Sequence, residues 1–265
     1  MTTSPTWDPQ QYLRHAGHRG RPFADLLARV PALPREPARI ADLGCGPGNV
    51  TTLLTERWPT ARITGYDNSP EMLEKAKVHA TDRLDFAYAD AADWTPARTH
   101  DLIMANATLQ WVPGHVDAFP RWVDALAPGG TFAFQVPGNF DAPSHALMRE
   151  LADSARWKDR LAGVLRHGDA VLTPTAYLER LAGLGCAVDA WETTYTHLLE
   201  GQDPVLDWVK GTGLRPVLAA LDADPAARDA FVTEYRDLLR EAYPATEHGT
   251  VLPFRRIFVV AVKPA

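Results

Sequence analysis

The 265-residue sequence has few cysteines, no excess of positive charge and no long apolar run. Its two cysteines, Cys45 and Cys186, lie far apart, so the sequence predicts neither a disulfide framework nor a metal site. A net charge of −6 argues against a nucleic-acid partner, because such partners usually require a basic face. No apolar stretch reaches the length of a membrane span, and residues 2–7 are polar, unlike a signal-peptide core. We therefore expect a cytoplasmic protein with no membrane partner.

A glycine-rich turn after an apolar run is the most informative stretch of the sequence. Residues 40–43 form the apolar run, and Gly44, Gly46 and Gly48 follow before a helical spacing of apolar residues begins. Glycine is needed in such a turn where the backbone passes close to a ligand or takes a positive φ. The second predicted strand then ends in Asp67, at the distance where dinucleotide-binding folds hold a ribose by its hydroxyls.

The spacing of these glycines favours a methyl donor over a dinucleotide. The pattern is Gly-x-Gly-x-Gly, whereas the turn that binds a pyrophosphate reads Gly-x-Gly-x-x-Gly. Asp42 precedes the first glycine by two residues, and its charge repels phosphate but suits an ammonium group. Adenosine, ribose and an α-amino acid together describe S-adenosylmethionine. The glycines alone would also fit a purely structural turn, but Asp67, Asp90 and Asn106 at successive predicted strand ends favour the donor site.

Strand and helix patterns alternate from residue 40 to residue 137. This alternation predicts an α/β fold with a parallel sheet and helices on both faces. The predicted strands are 40–43, 61–67, 84–90, 101–106 and 131–136, and the predicted helices are 50–58, 70–80 and 116–126, after an amphipathic helix at 23–30. A ligand of such a sheet lies at the carboxyl ends of the strands, where the acidic residues and Asn106 fall.

Beyond residue 137 the alternation stops. Residues 138–172 and 200–250 are predicted to be two inserts, and both leave the edge where the ligand is expected, so we expect them to form a lid. The second insert contains predicted helices at 204–210, 216–221 and 225–243. Between the two inserts, the sequence predicts a helix at 173–184 and a strand at 188–199. A predicted strand at 256–262 closes the chain. We predict a single domain over 1–265, with a cap segment at 1–39 and a cofactor-binding core at 40–137.

Several segments carry a resemblance to known enzymes. DLGCGPG at residues 42–48 resembles the first motif of the class I S-adenosylmethionine-dependent methyltransferases. Residues 106–111, 147–150 and 208–216, with Trp7-Asp8-Pro9 and Tyr12, resemble the trans-aconitate 2-methyltransferase family nearly end to end. The resemblance implies a Rossmann-like sheet of seven strands whose last strand is antiparallel and lies between strands five and six. It also implies methyl transfer to a carboxylate of trans-aconitate, which yields a monomethyl ester.

The predicted cofactor-binding residues follow the strand ends. Asp67 would accept hydrogen bonds from the ribose hydroxyls, Met72 would lie against the adenine, and Asn106 would hold the amino-acid end by its carbonyl. For Asp90 a plain turn residue is the alternative. The full predicted set is Tyr12, Asp42, Gly44, Gly46, Gly48, Asp67, Asn68, Met72, Asp90, Ala91 and Asn106.

The substrate side follows from the chemistry of a carboxylate acceptor. An acid with a pKa of about 4 is ionised at neutral pH, so no catalytic base is required. The enzyme must place oxygen, methyl and sulfur in line, exclude water, and neutralise the other carboxylates, for which the planar fork of arginine is suited. We predict Gln110 and Trp111 as positioning residues. The predicted substrate-binding residues are Arg21, Trp111, Arg166, His167, Tyr195, Arg215 and Arg255, with Arg256 and His197 as further candidates.

Other functions remain open from the sequence. Methylation of another small acid, a hydroxyl or a carbon centre is one, and a hydroxyl acceptor would require a base such as His167 or His197. A regulatory module that only binds the donor would not need two inserts with arginines. A nicotinamide-dependent oxidoreductase is disfavoured by the glycine spacing. The sequence determines neither which carboxylate is methylated nor the oligomeric state.

Overall fold

The computed structural model of the protein describes residues 16–165 and 170–265. Helices and strands alternate through much of these two ranges. The α-helices of the described chain are α1 (Ala16–Arg29), α2 (Thr52–Arg57), α3 (Pro70–Ala76), α4 (Phe119–Asp124), α5 (Pro143–Ala152), α6 (Lys158–Leu161), α7 (Pro174–Ala182), α8 (Pro204–Lys210), α9 (Arg215–Ala220) and α10 (Pro225–Ala242). The strands are β1 (Arg39–Leu43), β2 (Arg62–Asp67), β3 (Leu84–Tyr88), β4 (His100–Asn106), β5 (Leu126–Pro137), β6 (Ala187–Leu199), β7 (Ala245–Thr246) and β8 (Gly249–Val262).

The strands form one mixed sheet in the order β3-β2-β1-β4-β5-β8-β6, and the short β7 pairs with β8. The pairs among β1 to β5 are all parallel. The last strand, β8, runs antiparallel to β5 and lies between β5 and β6. This order confirms the predicted Rossmann-like α/β fold with an antiparallel last strand. Within the described residues, β7 is an addition to the seven predicted strands.

Local sequence explains the elements around the carboxyl ends of the strands. The interior of β4 is a buried apolar run, as expected for a central parallel strand covered on both faces. Helix α3 begins where the sequence predicts, because the Ser69 hydroxyl accepts from the Met72 N–H at 3.3 Å and Pro70 takes the first helical position. Phe119 of α4 packs edge-on against Phe132 of β5 with ring centroids 5.3 Å apart, which anchors this helix to the sheet.

Several predicted boundaries were wrong, and β5 for instance begins at Leu126 rather than at 131. The third strand ends at Tyr88 rather than at residue 90, because Asp90 turns the chain by accepting the Ala92 N–H at its carboxylate. Helix α4 ends at Asp124 rather than at 126, since Leu126 already pairs with His100 at the start of β5. The last strand starts at Gly249 rather than at 256.

The early start of β8 has a readable cause. Thr250, Leu252, Phe254 and Arg256 are buried, so alternate residues of this stretch face the interior. Such a period of two is the signature of a half-buried strand. Pro253 lies between them and lowers the strand signal, because proline cannot donate a ladder hydrogen bond.

The chain divides into two compact units. The sheet unit comprises residues 17–138, 170–193 and 256–265, and the insert unit comprises the described residues 139–165 and 194–255 together with Ala16. The insert unit has its own core, in which Trp208, Phe231 and Tyr235 are fully buried. The two predicted inserts supply most of the insert unit. Its second segment begins at residue 194, whereas the second insert was predicted to begin at residue 200. The lid role of the inserts stays a prediction. No helix of the described residues has both the length and the apolar character needed to cross a membrane.

Candidate active site

The glycine-rich turn follows β1 and is tied to the end of β2. The N–H groups of Gly44 and Cys45 both donate to the carbonyl of Tyr66, at 2.7 and 3.0 Å. Gly44 has a φ of +70°, and a Cβ there would lie 2.2 Å from the Thr108 hydroxyl oxygen, so only glycine fits. At Gly46, with a φ of +56°, no other described residue beyond its two chain neighbours has a heavy atom within 4 Å of the Cβ position. Among the described residues, the turn therefore leaves open space beside its backbone, as close approach of a ligand requires.

Asp67 ends β2 and holds the turn and the next helix together. One carboxylate oxygen, Oδ2, accepts the Gly46 N–H at 2.8 Å, and Oδ1 accepts the Ser69 N–H at 2.9 Å. Each oxygen keeps a further lone pair for a ligand hydroxyl. Burial is the main influence on this group and raises its pKa, against the lowering effect of the backbone N–H groups. The carboxylate is thus fixed in position while retaining the capacity that ribose binding would use.

Asp42 is the most enclosed acid of the site. Its side chain is only 1 % exposed, and the Thr51 hydroxyl donates to its Oδ2 at 2.7 Å. Burial, with a smaller contribution from the charge of Asp67, raises the pKa of Asp42 to about 7, although the hydrogen bond from Thr51 opposes this. Thr51 was not among the predicted residues. The part that Asp42 plays toward an ammonium group stays a prediction.

The ends of β2 and β3 bring a second set of predicted residues together. Asn68 donates from its side-chain amide to Asp90 Oδ2 at 2.9 Å. The other oxygen of Asp90 accepts the Ala92 N–H, so the carboxylate is held on both sides. Met72 and Ala91 are buried. Asp90 is therefore a turn residue in structure, and its adenine-binding role stays a prediction.

Asn106 ends β4 and is connected to the neighbouring strand. Its side-chain Oδ1 accepts from Gln135 Nε2 at 2.7 Å, and its backbone carbonyl accepts from the Thr108 hydroxyl at 3.2 Å. Gln135 lies directly opposite Asn106 in the β4–β5 register and accepts in turn from Arg256 Nη1 at 3.1 Å. Gln135 is a residue that the sequence interpretation missed. Its signal was a single amide in the otherwise apolar run of residues 132–136, level with the end of β4.

The predicted positioning residues follow directly after β4. Gln110 and Trp111 lie in a short 3₁₀ turn, Leu109–Trp111. Gln110 is buried and donates from Nε2 to the carbonyl of Ala107 at 2.5 Å, and Trp111 is half-buried. Ala107 itself takes a φ of 54°, a left-handed value that a residue other than glycine seldom adopts. The backbone at this strand end is therefore held in a strained conformation, as is common at binding sites.

The predicted substrate residues of the sheet unit have different surroundings. Arg21 is exposed and lies 3.9 Å from Asp25, one helical turn further along α1. Arg256 is buried and donates a hydrogen bond to Gln135. Of the neighbouring residues Arg255 and Arg256, it is therefore Arg256 that is connected to the strand ends. Arg255, the residue placed in the predicted set, is half-buried and belongs to the insert unit.

The remaining substrate candidates belong to the insert unit or lie outside the described residues. Tyr195 and His197 are buried with parallel rings, and the imidazole of His197 lies 4.8 Å from the Trp208 ring. Arg215 is the first residue of α9 and is half-buried, and no acidic side chain of the described ranges forms an ion pair with it. Tyr12, Arg166 and His167 fall outside the described residues.

The buried acid beside the turn generates a stability prediction. The carboxyl of Asp42 titrates near pH 4 in the unfolded chain and near pH 7 when folded, so the folded state binds more protons between these values. The free energy of unfolding should therefore fall as the pH rises from about 4 to about 7. Asp42→Asn keeps an acceptor for Thr51 and removes the titration. Urea unfolding of this variant should show a flatter pH dependence and higher stability than the wild type at pH 8.

The matched control is Asp82→Asn, at an exposed carboxyl before β3. This variant should retain the pH dependence of the wild type. An equal slope in the wild type and in Asp42→Asn would contradict the interpretation of Asp42.

The sequence is similar to a known domain family and to named proteins. A family model described as a methyltransferase domain matches residues 40–130. A protein of Streptomyces avermitilis named trans-aconitate 2-methyltransferase is 74 % identical over 98 % of this chain and 98 % of its own length. The protein of the same name from Rhodococcus jostii is 52 % identical over 96 % of this chain and 98 % of its own.

Solved structures support the fold. The YcgJ protein of Bacillus subtilis superposes with a TM-score of 0.58 at 15 % identity, over 94 % of this chain and 99 % of that one. A phosphoethanolamine N-methyltransferase of Haemonchus contortus, solved with S-adenosyl-L-methionine, gives a TM-score of 0.54 at 17 % identity, over 92 % of this chain and 53 % of that one. At these identities the likeness concerns the fold alone. The full-length relatives go further, and by their identity the chain belongs to the trans-aconitate 2-methyltransferase family.

Proposed function

We propose that this chain transfers a methyl group from S-adenosylmethionine to a carboxylate of trans-aconitate. The O–CH3 bond of the monomethyl ester forms as the S–CH3 bond breaks, and S-adenosylhomocysteine is the second product. The observation that carries the substrate assignment is the 74 % identity to a protein named for this reaction, over 98 % of both chains. That identity extends beyond residues 40–130, which the general methyltransferase model matches, into the insert unit. Segments outside the cofactor-binding core are where members of one superfamily differ in substrate, so likeness there supports a shared acceptor.

The residues at the strand ends fit the methyl donor. The open space beside Gly46 gives room for a ligand against the backbone, and the fixed carboxylate of Asp67 offers two acceptor oxygens for a pair of ribose hydroxyls. Asp42 and Asp67 give this edge a negative potential, which suits a cation. When bound, S-adenosylmethionine supplies an electrophilic methyl group on a positively charged sulfur. The chain contributes orientation, by holding both acids through hydrogen bonds to Thr51 and to backbone N–H groups.

A carboxylate acceptor agrees with the state of the histidines around β4. His100 lies at the amino end of that strand, away from the edge of Asn106, and burial lowers its pKa to about 4. His115 is buried and its ring lies 2.8 Å from the Tyr177 hydroxyl, and burial lowers its pKa as well. Burial thus keeps these two imidazoles neutral inside the core, and an acceptor that is already ionised needs no base.

Arg215 is the strongest candidate for the cationic part of the substrate site. It is half-buried, and among the described residues no carboxylate pairs with it. A small trianion has little apolar surface, so its affinity must come from paired charges. An arginine that is partly removed from water and not committed to an acidic side chain can bind a carboxylate through two parallel N–H groups.

Labelled donor and a panel of small acids test the proposed reaction. Purified protein should transfer the label to trans-aconitate with a far higher kcat/KM than to monocarboxylates or to a hydroxyl-bearing analogue. Because no base is needed, kcat should show no requirement for a deprotonated histidine near pH 6–7. A rate that rises with the ionisation of one histidine, or a preference for the hydroxyl compound, would contradict the proposal.

The donor site is tested at Asp67. Asp67→Ala removes charge-assisted hydrogen bonds to the ribose, each worth about 1.5–3 kcal/mol. Calorimetry should show S-adenosylmethionine affinity reduced at least tenfold in a protein that still melts cooperatively. Asp82→Ala, at an exposed acid, is the control and should bind the donor as the wild type does. Unchanged affinity in Asp67→Ala would show that this strand end does not hold the ribose.

The arginine is tested by a pair of substitutions. Arg215→Met should lower kcat/KM for trans-aconitate by well over tenfold, because loss of one partner from a desolvated charge pair costs about 2–5 kcal/mol. Arg215→Lys should retain more of the wild-type kcat/KM than Arg215→Met but not all of it, because an ammonium group cannot form the two parallel hydrogen bonds of a guanidinium. Donor binding should barely change in either variant. Arg228→Met, at an arginine that already pairs with Asp222, is the control from the same unit. A kcat/KM close to that of the wild type in Arg215→Met would contradict this assignment, and another cationic residue would then have to bind the carboxylate.

A further inference from the structure

Three side chains form a hydrogen-bonded chain that ends at the carboxyl edge of the sheet. Arg256 of β8 donates from Nη1 to Gln135 Oε1 at 3.1 Å, and Gln135 of β5 donates from Nε2 to Asn106 Oδ1 at 2.7 Å. All three belong to the sheet unit. Arg256 is 6 % exposed and Gln135 is 1 % exposed, whereas Asn106 is half-buried. The chain therefore runs from a buried charge to the strand end that the ligand approaches.

The arginine determines the direction of every hydrogen bond in this chain. A guanidinium has five N–H donors and no acceptor, so Gln135 must turn its oxygen toward Arg256. The amide nitrogen of Gln135 then faces Asn106, which must accept through Oδ1. Two carboxamides alone could pair in either direction, because each has a donor and an acceptor end. With Arg256 in place, Asn106 has its oxygen committed, and its Nδ2 has no partner among the described residues.

Resting on the proposed function, we propose that Arg256 and Gln135 are positioning residues that make Asn106 a hydrogen-bond donor to a carboxylate of the acceptor substrate. An amide N–H₂ at this edge attracts a carboxylate oxygen. The reversed amide would present an oxygen there, which repels a carboxylate and would suit an amine. The direction of this hydrogen-bonded chain is therefore a determinant of acceptor class.

A single substitution should reverse the direction of the hydrogen bond between residue 135 and Asn106. In Gln135→Glu the new carboxylate accepts from Arg256 as before, but it has no donor for Asn106 Oδ1, so Asn106 turns over and donates to it. Its oxygen then faces the substrate. We expect the Kd of trans-aconitate, measured by calorimetry on protein loaded with S-adenosylhomocysteine, to rise about tenfold to a hundredfold, the range expected for one hydrogen bond to a charged group. The affinity for S-adenosylhomocysteine itself should stay within twofold.

Two variants at Arg256 separate the effect of hydrogen-bond direction from the effect of side-chain packing. Arg256→Lys keeps a donor without an acceptor and should bind trans-aconitate within a few-fold of the wild type. Arg256→Gln permits either direction and should bind it less well than the lysine variant. Thr131→Val is the control, because Thr131 is buried on the same face of β5 and makes no hydrogen bond through its side chain in the described chain. It should match the wild type in both titrations.

The outcomes distinguish this inference from the proposed function. Wild-type protein that does not bind trans-aconitate would overturn both. Wild-type protein that binds it, with equal binding by folded Gln135→Glu or equal behaviour of the Lys and Gln variants at 256, would overturn the inference alone. A loss confined to S-adenosylhomocysteine would mean that Asn106 faces the carboxylate of the cofactor, and this result too would overturn it.

Discussion

The hydrogen bonds of the Asp67 carboxylate fix the geometry of the sheet edge at which we propose that the methyl donor binds. Asp67 accepts N–H groups from the glycine-rich turn and from the start of α3, at Gly46 and Ser69. Three consecutive features, the turn after β1, the end of β2 and the first turn of α3, therefore share one anchor. Hydrogen bonds to a charged acceptor are stronger than neutral ones, so this anchor can hold a turn whose glycines take positive φ values. The same carboxylate keeps lone pairs for a ligand, which joins the stability of the turn to binding.

This arrangement leaves two acids close together in a partly buried place. Burial and the neighbouring charge raise the pKa of Asp42, so the folded chain holds this carboxyl at an energetic cost near neutral pH. A cation bound at the edge would reduce that cost, because an opposite charge favours the ionised form. If this edge binds the donor as we propose, the cation would therefore offset part of the cost of burying Asp42. The relation follows from the position of Asp42, because within the described residues its side chain accepts a hydrogen bond from a neutral hydroxyl, that of Thr51, and from no cation.

The fold was predictable because two local rules sufficed for the core. Apolar runs identified β1, which is followed by the glycine-rich turn, and β2 and β4, which end in a polar residue, and the cap at Ser69 located the start of α3 correctly. The errors arose where side chains override local preference. Asp90 bends the chain through its own carboxylate, and the first half of β8 shows a period of two that is interrupted by a proline. The candidate cofactor-binding residues were chosen by a similar rule, since a parallel sheet gathers its strand ends at one edge, and their roles stay predictions.

The substrate side could not be predicted in the same way. Its candidates lie on inserts with no repeating geometric rule, and each arginine by itself also fits a surface ion pair, as Arg21 with Asp25 illustrates. Gln135 shows what kind of signal was available. An amide inside an apolar strand must find partners, because an unpaired buried amide is costly. Its register opposite Asn106 limits those partners to the next strands, so the sheet topology, once known, leads from Gln135 to Arg256.

The contrast between Arg215 and Arg256 suggests two separate uses of arginine in one protein. Arg256 is enclosed, and its donated hydrogen bond to Gln135 fixes the direction of neighbouring amides. Arg215 is half-buried at the start of a short helix and has no ion-pair partner in the described ranges. A guanidinium serves both purposes because it never loses its charge and never accepts a hydrogen bond. Lysine also lacks an acceptor, so it can replace Arg256 in directing a hydrogen bond, but it cannot form the two parallel N–H contacts that we propose for Arg215. The two positions should therefore tolerate lysine differently, because one requires only the direction of a hydrogen bond and the other requires its geometry.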